Sequence, residues 1–269
     1  MASVIGPFCP VRGNWGTIRD DRFTVTDQHR QGVVVCGRFV AASPPADIAA
    51  YFGATLPETT LPDNFNVAPT AEIYAIVHAP KGPEMQVFHW GLIPSWAKDR
   101  KIASKMINAR SETITEKSMF AKLFATRRCI IPADGFYEWT TLTTGGTPKK
   151  PVKQPYFIHR QDGEPLAMAG IWTSWRDPAG QPGVRLHSTS IITTSANETM
   201  RPLHDRMPVM LPVSAWATWL DPSCTDTEAL KKFLAPAPIG LLSVYPVSTD
   251  VNSVRNGGAD LIKPVADEA

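Results

Sequence analysis

The stretch Val33-Val34-Val35-Cys36-Gly37-Arg38-Phe39 decides how the fold of this 269-residue chain is interpreted. Valine favours strands and glycine permits sharp turns, so the stretch predicts a buried strand that ends in a turn. Arg38 follows Cys36 by two residues, and a nearby cation favours the reactive thiolate form of a cysteine. Cys36 is therefore the first candidate for a catalytic nucleophile.

The composition limits the class of protein. Hydrophobic residues make up 43% of the chain, and no apolar run approaches the roughly 18 residues of a membrane span. The formal net charge of +2 is compatible with a nucleic-acid partner without requiring one. The cysteines are far apart and form neither a CxxC motif nor a His-rich cluster, which argues against a zinc site or a disulfide framework and favours a reduced cytoplasmic compartment. No cofactor is expected. The four cysteines are Cys9, Cys36, Cys129 and Cys224.

Residues 1–35 differ from the rest of the sequence, because they mix proline, glycine and charges without sustained periodicity. We interpret them as a disordered extension or as the product of a misassigned start. A GTG codon at Val35 would be read as Met at initiation, and removal of that Met would expose the α-amine of Cys36. A single domain is expected over residues 36–264, followed by a short tail at 265–269.

The pattern after Cys36 predicts an α+β fold with a curved, barrel-like, largely antiparallel sheet flanked by short helices. Ser43 is expected to cap the first helix, and residues 65–70 are expected to form a loop. The predicted strands cover residues 72–78, 85–90, 128–132, 155–160, 165–172, 185–194 and 241–247, with a hairpin tip at 143–151. The predicted helices cover 44–52, 198–203, 213–220 and 227–233, and a further helical pattern surrounds Met119, Leu123 and Phe124.

Several polar residues adjoin apolar strand residues. Asn108 and Arg110 should share one face of a strand because side chains alternate, although Asn108 could instead cap the helix that follows. Glu138 lies between Tyr137 and Trp139, where desolvation would raise its pKa and suit acid/base work. The alternative for Glu138 is an edge position facing solvent.

Two further residues are candidates for a site. His204 precedes Asp205 and Arg206 just before an apolar strand, and it is either catalytic or a structural histidine with its hydrogen bonds satisfied. Trp96 lies on a loop after Gly-Leu-Ile-Pro-Ser, where an exposed ring could stack on a ligand, whereas most other tryptophans are expected in the core. The sequence contains no phosphate-binding loop, dinucleotide-binding motif or metal-ligand spacing.

These residue types leave two chemistries open. Cys36, His204 and Asn108 match the residue types of a cysteine peptidase, in which a histidine activates the thiol and an asparagine orients the histidine. Alternatively, an N-terminal Cys36 would carry an α-amine and a thiol close together. An aldehyde could condense with that amine to an imine, and the thiol could then close a thiazolidine ring.

Six motifs, in order, resemble the SRAP (SOS response-associated peptidase) family over roughly residues 36–264. They are Cys36-Gly37-Arg38-Phe39, Asn66-Val67-Ala68-Pro69, Trp90-Gly91-Leu92-Ile93-Pro94, Ile107-Asn108-Ala109-Arg110-Ser111-Glu112-Thr113, Asp134-Gly135-Phe136-Tyr137-Glu138-Trp139 and His204-Asp205-Arg206-Met207-Pro208. A seventh similarity lies in the tail, at Val251-Asn252 and Asn256-Gly257-Gly258-Ala259-Asp260-Leu261-Ile262.

The resemblance implies a sensor of abasic sites in single-stranded DNA that forms a covalent thiazolidine crosslink and so protects the lesion during the DNA damage response. By the same resemblance, Cys36 is the crosslinking nucleophile, Asn108 holds the sugar or the cysteine, Glu138 is the acid/base, and His204 assists sugar ring opening and crosslink reversal. The residues implied to bind DNA are Arg38, Trp96, Arg110 and Arg206. A monomer that associates with the nucleoid when bound to DNA is expected.

One departure from the family pattern matters, because the family cysteine directly follows the initiator Met. Here the nitrogen of Cys36 is an amide as the sequence is written, and an amide cannot form an imine. A later start, self-cleavage after Val35 or loss of the activity would each account for this difference. The alternatives to the crosslinking function are a thiol peptidase that acts on its own N-terminal segment or on other proteins, and a non-catalytic single-strand DNA-binding module.

Overall fold

Twelve β-strands form two sheets in the computed structural model, which describes residues 36–147, 150–181 and 183–265. The strands are β1 (Arg38–Ala41), β2 (Asn64–Val67), β3 (Glu72–Ala79), β4 (Gly82–Trp90), β5 (Asn108–Arg110), β6 (Arg128–Ala133), β7 (Gly135–Thr147), β8 (Lys150–Arg160), β9 (Leu166–Trp175), β10 (Leu186–Ser195), β11 (Arg206–Pro208) and β12 (Leu242–Pro246).

The first sheet closes on itself as a five-stranded barrel. Its strands follow the order β10-β4-β3-β6-β9, and β9 pairs again with β10 to complete the ring. Two short strands extend β10 beyond the ring, since β5 runs parallel to it and β11 antiparallel. Only the β10 pairings with β4 and β5 are parallel among the described strands. The predicted α+β fold with a curved, largely antiparallel sheet is confirmed.

The second sheet, in the order β12-β8-β7-β1-β2, covers one side of the barrel. Side chains alternate between its faces, as the pleat requires. Phe39, Phe136 and Ile158 pack with the barrel in one buried cluster. Val40 and Tyr137 point to the opposite face and pack beneath the C-terminal segment 247–262. A residue of β1 or β7 therefore faces either the barrel or the C-terminal segment.

The helices are short and lie on the outside of the sheets. They are α1 (Pro45–Phe52), α2 (Ser118–Thr126), α3 (Trp216–Leu220) and α4 (Thr227–Lys231), with 3₁₀ turns at Arg100–Lys105, Ser111–Thr113, Val213–Ala215, Thr249–Asn252 and Ala259–Ile262. Among the described residues, none of the helices has the length and apolar character needed to cross a bilayer.

Three local predictions differ from the structure. Of the predicted loop 65–70, residues 65–67 belong to β2, because this stretch pairs with β1. Residues 198–203 form hydrogen-bonded turns without a helix. Ser43 does not cap α1, because its hydroxyl donates to the Asp134 carboxylate and the helix begins at a proline. The first strand starts at Arg38, after Cys36, while residues 1–35, the centre of the hairpin tip at 148–149 and residues 266–269 lie outside the described residues.

Candidate active site

Cys36 and Glu138 form a buried pair at the interface between the second sheet and the barrel. Pairing of Arg38 with Tyr137 brings the next residue of β7, Glu138, to the N-terminal end of β1. The backbone nitrogen of Cys36 donates a 2.7 Å hydrogen bond to Oε1 of Glu138. Cys36 is 2% exposed and Glu138 is 3% exposed. One carboxyl group thus holds the cysteine nitrogen out of bulk water.

The backbone of Cys36 is unusual, because its φ of 47° lies in the left-handed region that non-glycine residues rarely adopt. The hydrogen bond to Glu138 and the packing of the side chain in the barrel cluster accompany this conformation. Backbone strain of this kind costs free energy and is concentrated at functional sites. Among the described non-glycine residues, Cys36 shares a positive φ only with Thr70, whose φ is 73°.

Burial shifts the pKa values of both groups. Burial raises the pKa of the Glu138 carboxyl to about 7, although its hydrogen bonds to Cys36 favour the carboxylate. Burial, reinforced by the nearby Glu138 carboxylate, raises the pKa of the Cys36 thiol well above its usual range, and Arg206 opposes this shift. At neutral pH the thiol is therefore protonated, while Glu138 is divided between its acid and carboxylate forms.

The segment 204–206 flanks the pair. Charges on Asp205 and Arg206 are close enough to influence Glu138 and Cys36, respectively. The Nδ1 atom of His204 lies 3.0 Å from the backbone nitrogen of Arg206 and 2.9 Å from an Asp205 carboxylate oxygen. A neutral Nδ1 accepts from the Arg206 amide, whereas a protonated Nδ1 donates to Asp205. The His204 Nδ1 atom is thus already engaged by the two residues that follow it, and those two residues are the ones whose charges act on the pair.

Arg206 is held by two partners and is only 12% exposed at its side chain. Its Nη1 and Nη2 atoms donate to the two carboxylate oxygens of Glu112 at 3.0 and 2.9 Å. Nη2 also donates to the Thr193 carbonyl oxygen at 2.7 Å. This bidentate ion pair joins the 204–208 motif to the 107–113 motif across β10. The resemblance implied that Arg206 binds DNA. In this structure the Arg206 guanidinium binds the Glu112 carboxylate.

Asn108 and Arg110 both lie on β5, which runs parallel to β10 opposite Ile191 and Thr193. Asn108 is half-buried and Arg110 is exposed. Among the described residues, the Arg110 guanidinium has neither an ion pair nor a hydrogen-bond acceptor. Asn108 does not cap a helix, because it is part of a strand. Arg110 thus presents a solvent-accessible positive charge near Thr193, the residue that also binds Arg206.

Trp96 is 69% exposed, unlike Trp90, Trp175 and Trp219, which are fully buried. It lies on the loop between β4 and β5, with an apolar ring facing solvent. The sequence-based expectation of an exposed ring at this position is met. Stacking on a base stays a prediction.

Arg38 lies on the face of β1 that is covered by the C-terminal segment, and it does not stabilise a thiolate at Cys36. Its Nη1 donates to Asn66 Oδ1 at 2.8 Å and to the Val251 carbonyl oxygen at 2.9 Å. The cation close enough to lower the pKa of the Cys36 thiol is Arg206, and burial outweighs its effect. The prediction that Arg38 activates the thiol is therefore wrong, because Cys36 precedes β1 with a φ of 47° and its side chain packs in the barrel cluster, whereas Arg38 faces the C-terminal segment.

Two residues of the quoted motifs, Glu112 and Asn66, received no role from sequence. Glu112 fixes Arg206, as described above. The side-chain amide of Asn66 lies 2.9 and 3.1 Å from the carbonyl oxygens of Ser253 and Asn256. It thereby ties the C-terminal segment to β2. Only their place inside the motifs hinted at either role, because both partners are distant in sequence.

Comparison with known proteins adds four findings. The family described as SOS response associated peptidase (SRAP) matches residues 35–254. The chain is 42% identical over 231 residues to the abasic site processing protein YoqW of Bacillus subtilis (strain 168), covering 85% of this chain and 99% of YoqW. It is 30% identical to the abasic site processing protein YedK of Escherichia coli (strain K12), covering 86% of this chain and 100% of YedK. A crystal structure of a protein from Bacteroides thetaiotaomicron superimposes with a TM-score of 0.74 at 26% identity, covering 86% of this chain and 100% of that protein.

Proposed function

This chain belongs to the SRAP (SOS response associated peptidase) family, and we propose that it processes abasic sites by forming a covalent thiazolidine with them in single-stranded DNA. Relatives such as YoqW and YedK carry the name abasic site processing protein. The main structural support for thiazolidine formation is the 2.7 Å contact between the Cys36 nitrogen and Glu138 Oε1. The protein would act as a monomer on nucleoid DNA and would need no cofactor.

The proposed reaction joins two groups of Cys36 to one aldehyde carbon. The ring-opened abasic deoxyribose presents C1′ as an aldehyde, and the free α-amine of Cys36 adds to it to give a carbinolamine. Protonation of the carbinolamine hydroxyl releases one water and leaves an imine. The thiol then adds its sulfur to the imine carbon while its proton passes to the nitrogen. The product is a thiazolidine, and the net loss is one water.

Glu138 is placed to move the protons in this sequence. Its carboxyl group contacts the Cys36 nitrogen and also lies within hydrogen-bonding reach of the thiol. Because its pKa is about 7, it can protonate the departing hydroxyl and then accept the thiol proton near neutral pH. The high pKa of the Cys36 thiol suits this role, because the sulfur adds to an activated imine with its proton passed directly to Glu138.

The remaining residues would bind and orient the DNA. Asn108 would hold the sugar or the cysteine, and His204 would assist sugar ring opening and crosslink reversal. Arg110 has the exposure needed to bind a phosphate, and Trp96 has the exposed ring needed to stack on a base. Arg38 and Arg206 complete the proposed set, with Arg206 exchanging Glu112 for a phosphate.

The proposal requires a free amine at Cys36, and residues 1–35 precede it in the sequence. We propose that the functional protein begins at Cys36, by initiation at Val35 followed by Met removal, or by self-cleavage after Val35. Two observations support a boundary here. The family match begins at Val35, and the full length of YedK aligns with 86% of this chain.

A thiol peptidase is the alternative function. A peptidase of the cysteine–histidine type needs a thiolate next to a histidine. The Cys36 thiol instead adjoins a carboxyl group and has a raised pKa, which favours the amine-dependent chemistry. Self-cleavage after Val35 stays compatible with both functions.

Intact mass spectrometry of the protein from its native host tests the proposal. The protein is mixed with an oligonucleotide that carries one abasic site, and Cys36→Ser is the control. The expected result is a mass that begins at Cys36 and gains the oligonucleotide minus one water, absent in the control. A mass that retains residues 1–35 without an adduct would overturn the thiazolidine mechanism for this chain. A mass that begins at Cys36 but gains no oligonucleotide would favour the peptidase function.

A further inference from the structure

Positive charge is concentrated on the loop between β4 and β5, which also carries Trp96. Four exposed cations lie on this loop against a single carboxylate, Asp99. The cations are Lys98, Arg100, Lys101 and Lys105. The whole chain has 27 basic and 25 acidic residues, a net charge of +2. One loop thus has a larger excess of positive charge than the entire chain, so its charge is local and not a property of the whole surface.

The loop is anchored firmly to the barrel. Trp175 is fully buried, and its indole nitrogen donates to the Ala97 carbonyl oxygen at 2.7 Å. The backbone nitrogen of Ile93 donates to the Ser188 hydroxyl at 2.8 Å. Ile93, Ala97 and Trp175 form a small buried cluster with Ala103 under the loop. The cations are therefore displayed on a fixed backbone, and binding a ligand would cost little ordering entropy of the chain.

Among the described residues, the carboxylate of Asp99 forms no ion pair with the neighbouring cations. It accepts a 2.8 Å hydrogen bond from the backbone nitrogen of Lys101 and caps the 3₁₀ turn Arg100–Lys105. Arg100 pairs with Asp177 of the β9–β10 connection at 3.3 Å. Lys98, Lys101 and Lys105 have no ion pair within the described ranges. These three lysines are the charges available to a partner.

The loop ends at Met106, two residues before Asn108, and the Met106 carbonyl oxygen accepts from the Ser190 hydroxyl at 2.9 Å. Lys105 therefore lies close to the β5 end of the candidate site. Along β10, Arg110 pairs with Thr193, whereas Trp175, which binds Ala97, pairs with Leu186. Seven residues of strand at about 3.3 Å each separate Thr193 from Leu186 by roughly 23 Å, so Lys98, next to Ala97, lies at the far end of the loop. That distance corresponds to about seven nucleotides at the 3.4 Å spacing of stacked DNA.

We infer that residues 92–106 form a second DNA-binding surface, which binds phosphates of the single strand several nucleotides from the lesion. Lysine side chains on a fixed surface next to an exposed aromatic ring, Trp96, are typical of sequence-independent single-strand binding. This inference rests on the proposed function, since it assumes that the lesion lies at Cys36. The surface would hold the strand in register with the site without taking part in the chemistry.

The test compares the length dependence of DNA binding in two triple variants. The first replaces Lys98, Lys101 and Lys105 by Gln. The matched control replaces Lys81, Lys122 and Lys232, which are also exposed lysines but lie elsewhere. Both are combined with Cys36→Ser, so that only non-covalent binding is measured. The probes are single strands with a central abasic site and either 2 or 15 nucleotides on each side, each titrated at several salt concentrations.

With long flanks, the loop variant should bind about 10-fold more weakly. The slope of log K against log salt concentration should become shallower by about 2, because three phosphate contacts disappear. With short flanks the loss should be much smaller, since of the three lysines the DNA reaches only Lys105. The control variant should keep the binding of the parent protein at both lengths. Equal losses at both lengths, or none at either length, would overturn the inference.

The outcome can be separated from the fate of the proposed function. The chemistry is measured independently, as crosslinking of the short probe by protein with an intact Cys36. If that crosslink fails to form while long-flank binding still depends on the three lysines, the surface stands and the thiazolidine mechanism falls. If crosslinking occurs and the lysines have no effect on binding, the thiazolidine mechanism stands and the second DNA-binding surface is excluded.

Discussion

The backbone nitrogen of Cys36 and the Oε1 atom of Glu138 lie 2.7 Å apart, although 102 positions separate the two residues in sequence. Pairing of β1 with β7 creates this contact, and burial at the barrel interface raises the pKa of Glu138 to about 7. One carboxyl group therefore couples the position of the cysteine nitrogen to the pH of the surroundings. Both the reactivity and the stability of the protein should reflect this coupling.

Crosslinking should have a pH optimum near neutrality. The rate should fall at low pH as the Cys36 amine is protonated, and at high pH as Glu138 loses the proton that it donates to the departing water. The pKa of about 7 applies with an amide nitrogen at Cys36; a protonated amine there would favour the carboxylate, so the alkaline decline should begin at or below pH 7. Single-turnover crosslinking rates measured from pH 5 to 9 would check this.

Glu138→Gln should slow crosslinking by 10- to 100-fold and remove the alkaline decline, because glutamine keeps the hydrogen bond but cannot transfer the proton. Non-covalent DNA affinity, measured in the Cys36→Ser background, should stay unchanged. A Gln variant with the parent rate and the parent pH profile would show that Glu138 is not the acid/base.

Glu138 should also make the DNA-free protein less stable as the pH rises. Its folded-state pKa of about 7 exceeds the ordinary value of 4.5, so the folded protein binds more protons than the unfolded chain between these values. The free energy of unfolding should be highest below pH 4.5 with respect to this group and fall through pH 7, by up to about 3 kcal/mol. Urea unfolding of the parent protein and of Glu138→Gln at pH 5 and pH 8 measures the difference.

In that experiment Glu138→Gln should be more stable than the parent protein at pH 8 and similar to it at pH 5. Glu116→Gln is the matched control, since Glu116 is exposed and its replacement changes the net charge equally. A parent protein whose unfolding free energy has the same pH dependence as the Gln variant would contradict the raised pKa.

The strands of the barrel were predictable because their apolar residues are local signals. The run from Arg128 to Pro132 and the apolar residues of β9 and β10 predict buried strands without knowledge of their partners. Residues 64–67 were missed as β2, because Asn64 and Asn66 are typical turn residues. Their strand conformation depends on pairing with β1, a contact that sequence patterns do not encode.

The site residues were identified largely by their motifs, whereas their partners were not. The burial of Glu138 followed from its apolar neighbours Tyr137 and Trp139, and the structure agrees. The direction of Arg38 was mispredicted, since the two-residue spacing suggested a contact with Cys36, whereas the left-handed backbone of Cys36 before β1 turns its side chain toward the barrel. The ion pair between Arg206 and Glu112 joins residues 94 positions apart, and only the tertiary fold could reveal it.

Gly135 should be required for the placement of Glu138, because no side chain fits at its position in β7. A Cβ atom there would lie 2.4 Å from the Phe157 ring and 2.6 Å from the Ile158 carbonyl oxygen. Gly135→Ala should lower the free energy of unfolding by about 1–3 kcal/mol, measured by urea denaturation. Gly257→Ala is the control, since nothing lies within 4 Å of its added methyl group, and it should unfold like the parent protein. Equal stability of both variants would show that β7 and β8 can separate to accept the methyl group.

Glu112 should weaken binding of the protein to intact single-stranded DNA. Its carboxylate occupies the Arg206 guanidinium with the bidentate geometry that a phosphate would adopt, and at 49% exposure it is free to swing into solvent. Glu112→Gln should therefore bind undamaged single strands about 3- to 10-fold more tightly and steepen the salt dependence by about one phosphate contact. Fluorescence anisotropy at several salt concentrations measures both quantities, with Glu116→Gln as the control for net charge. If Glu112→Gln binds more weakly than the control, the carboxylate instead positions Arg206 for the phosphate, and the competition between Glu112 and DNA is excluded.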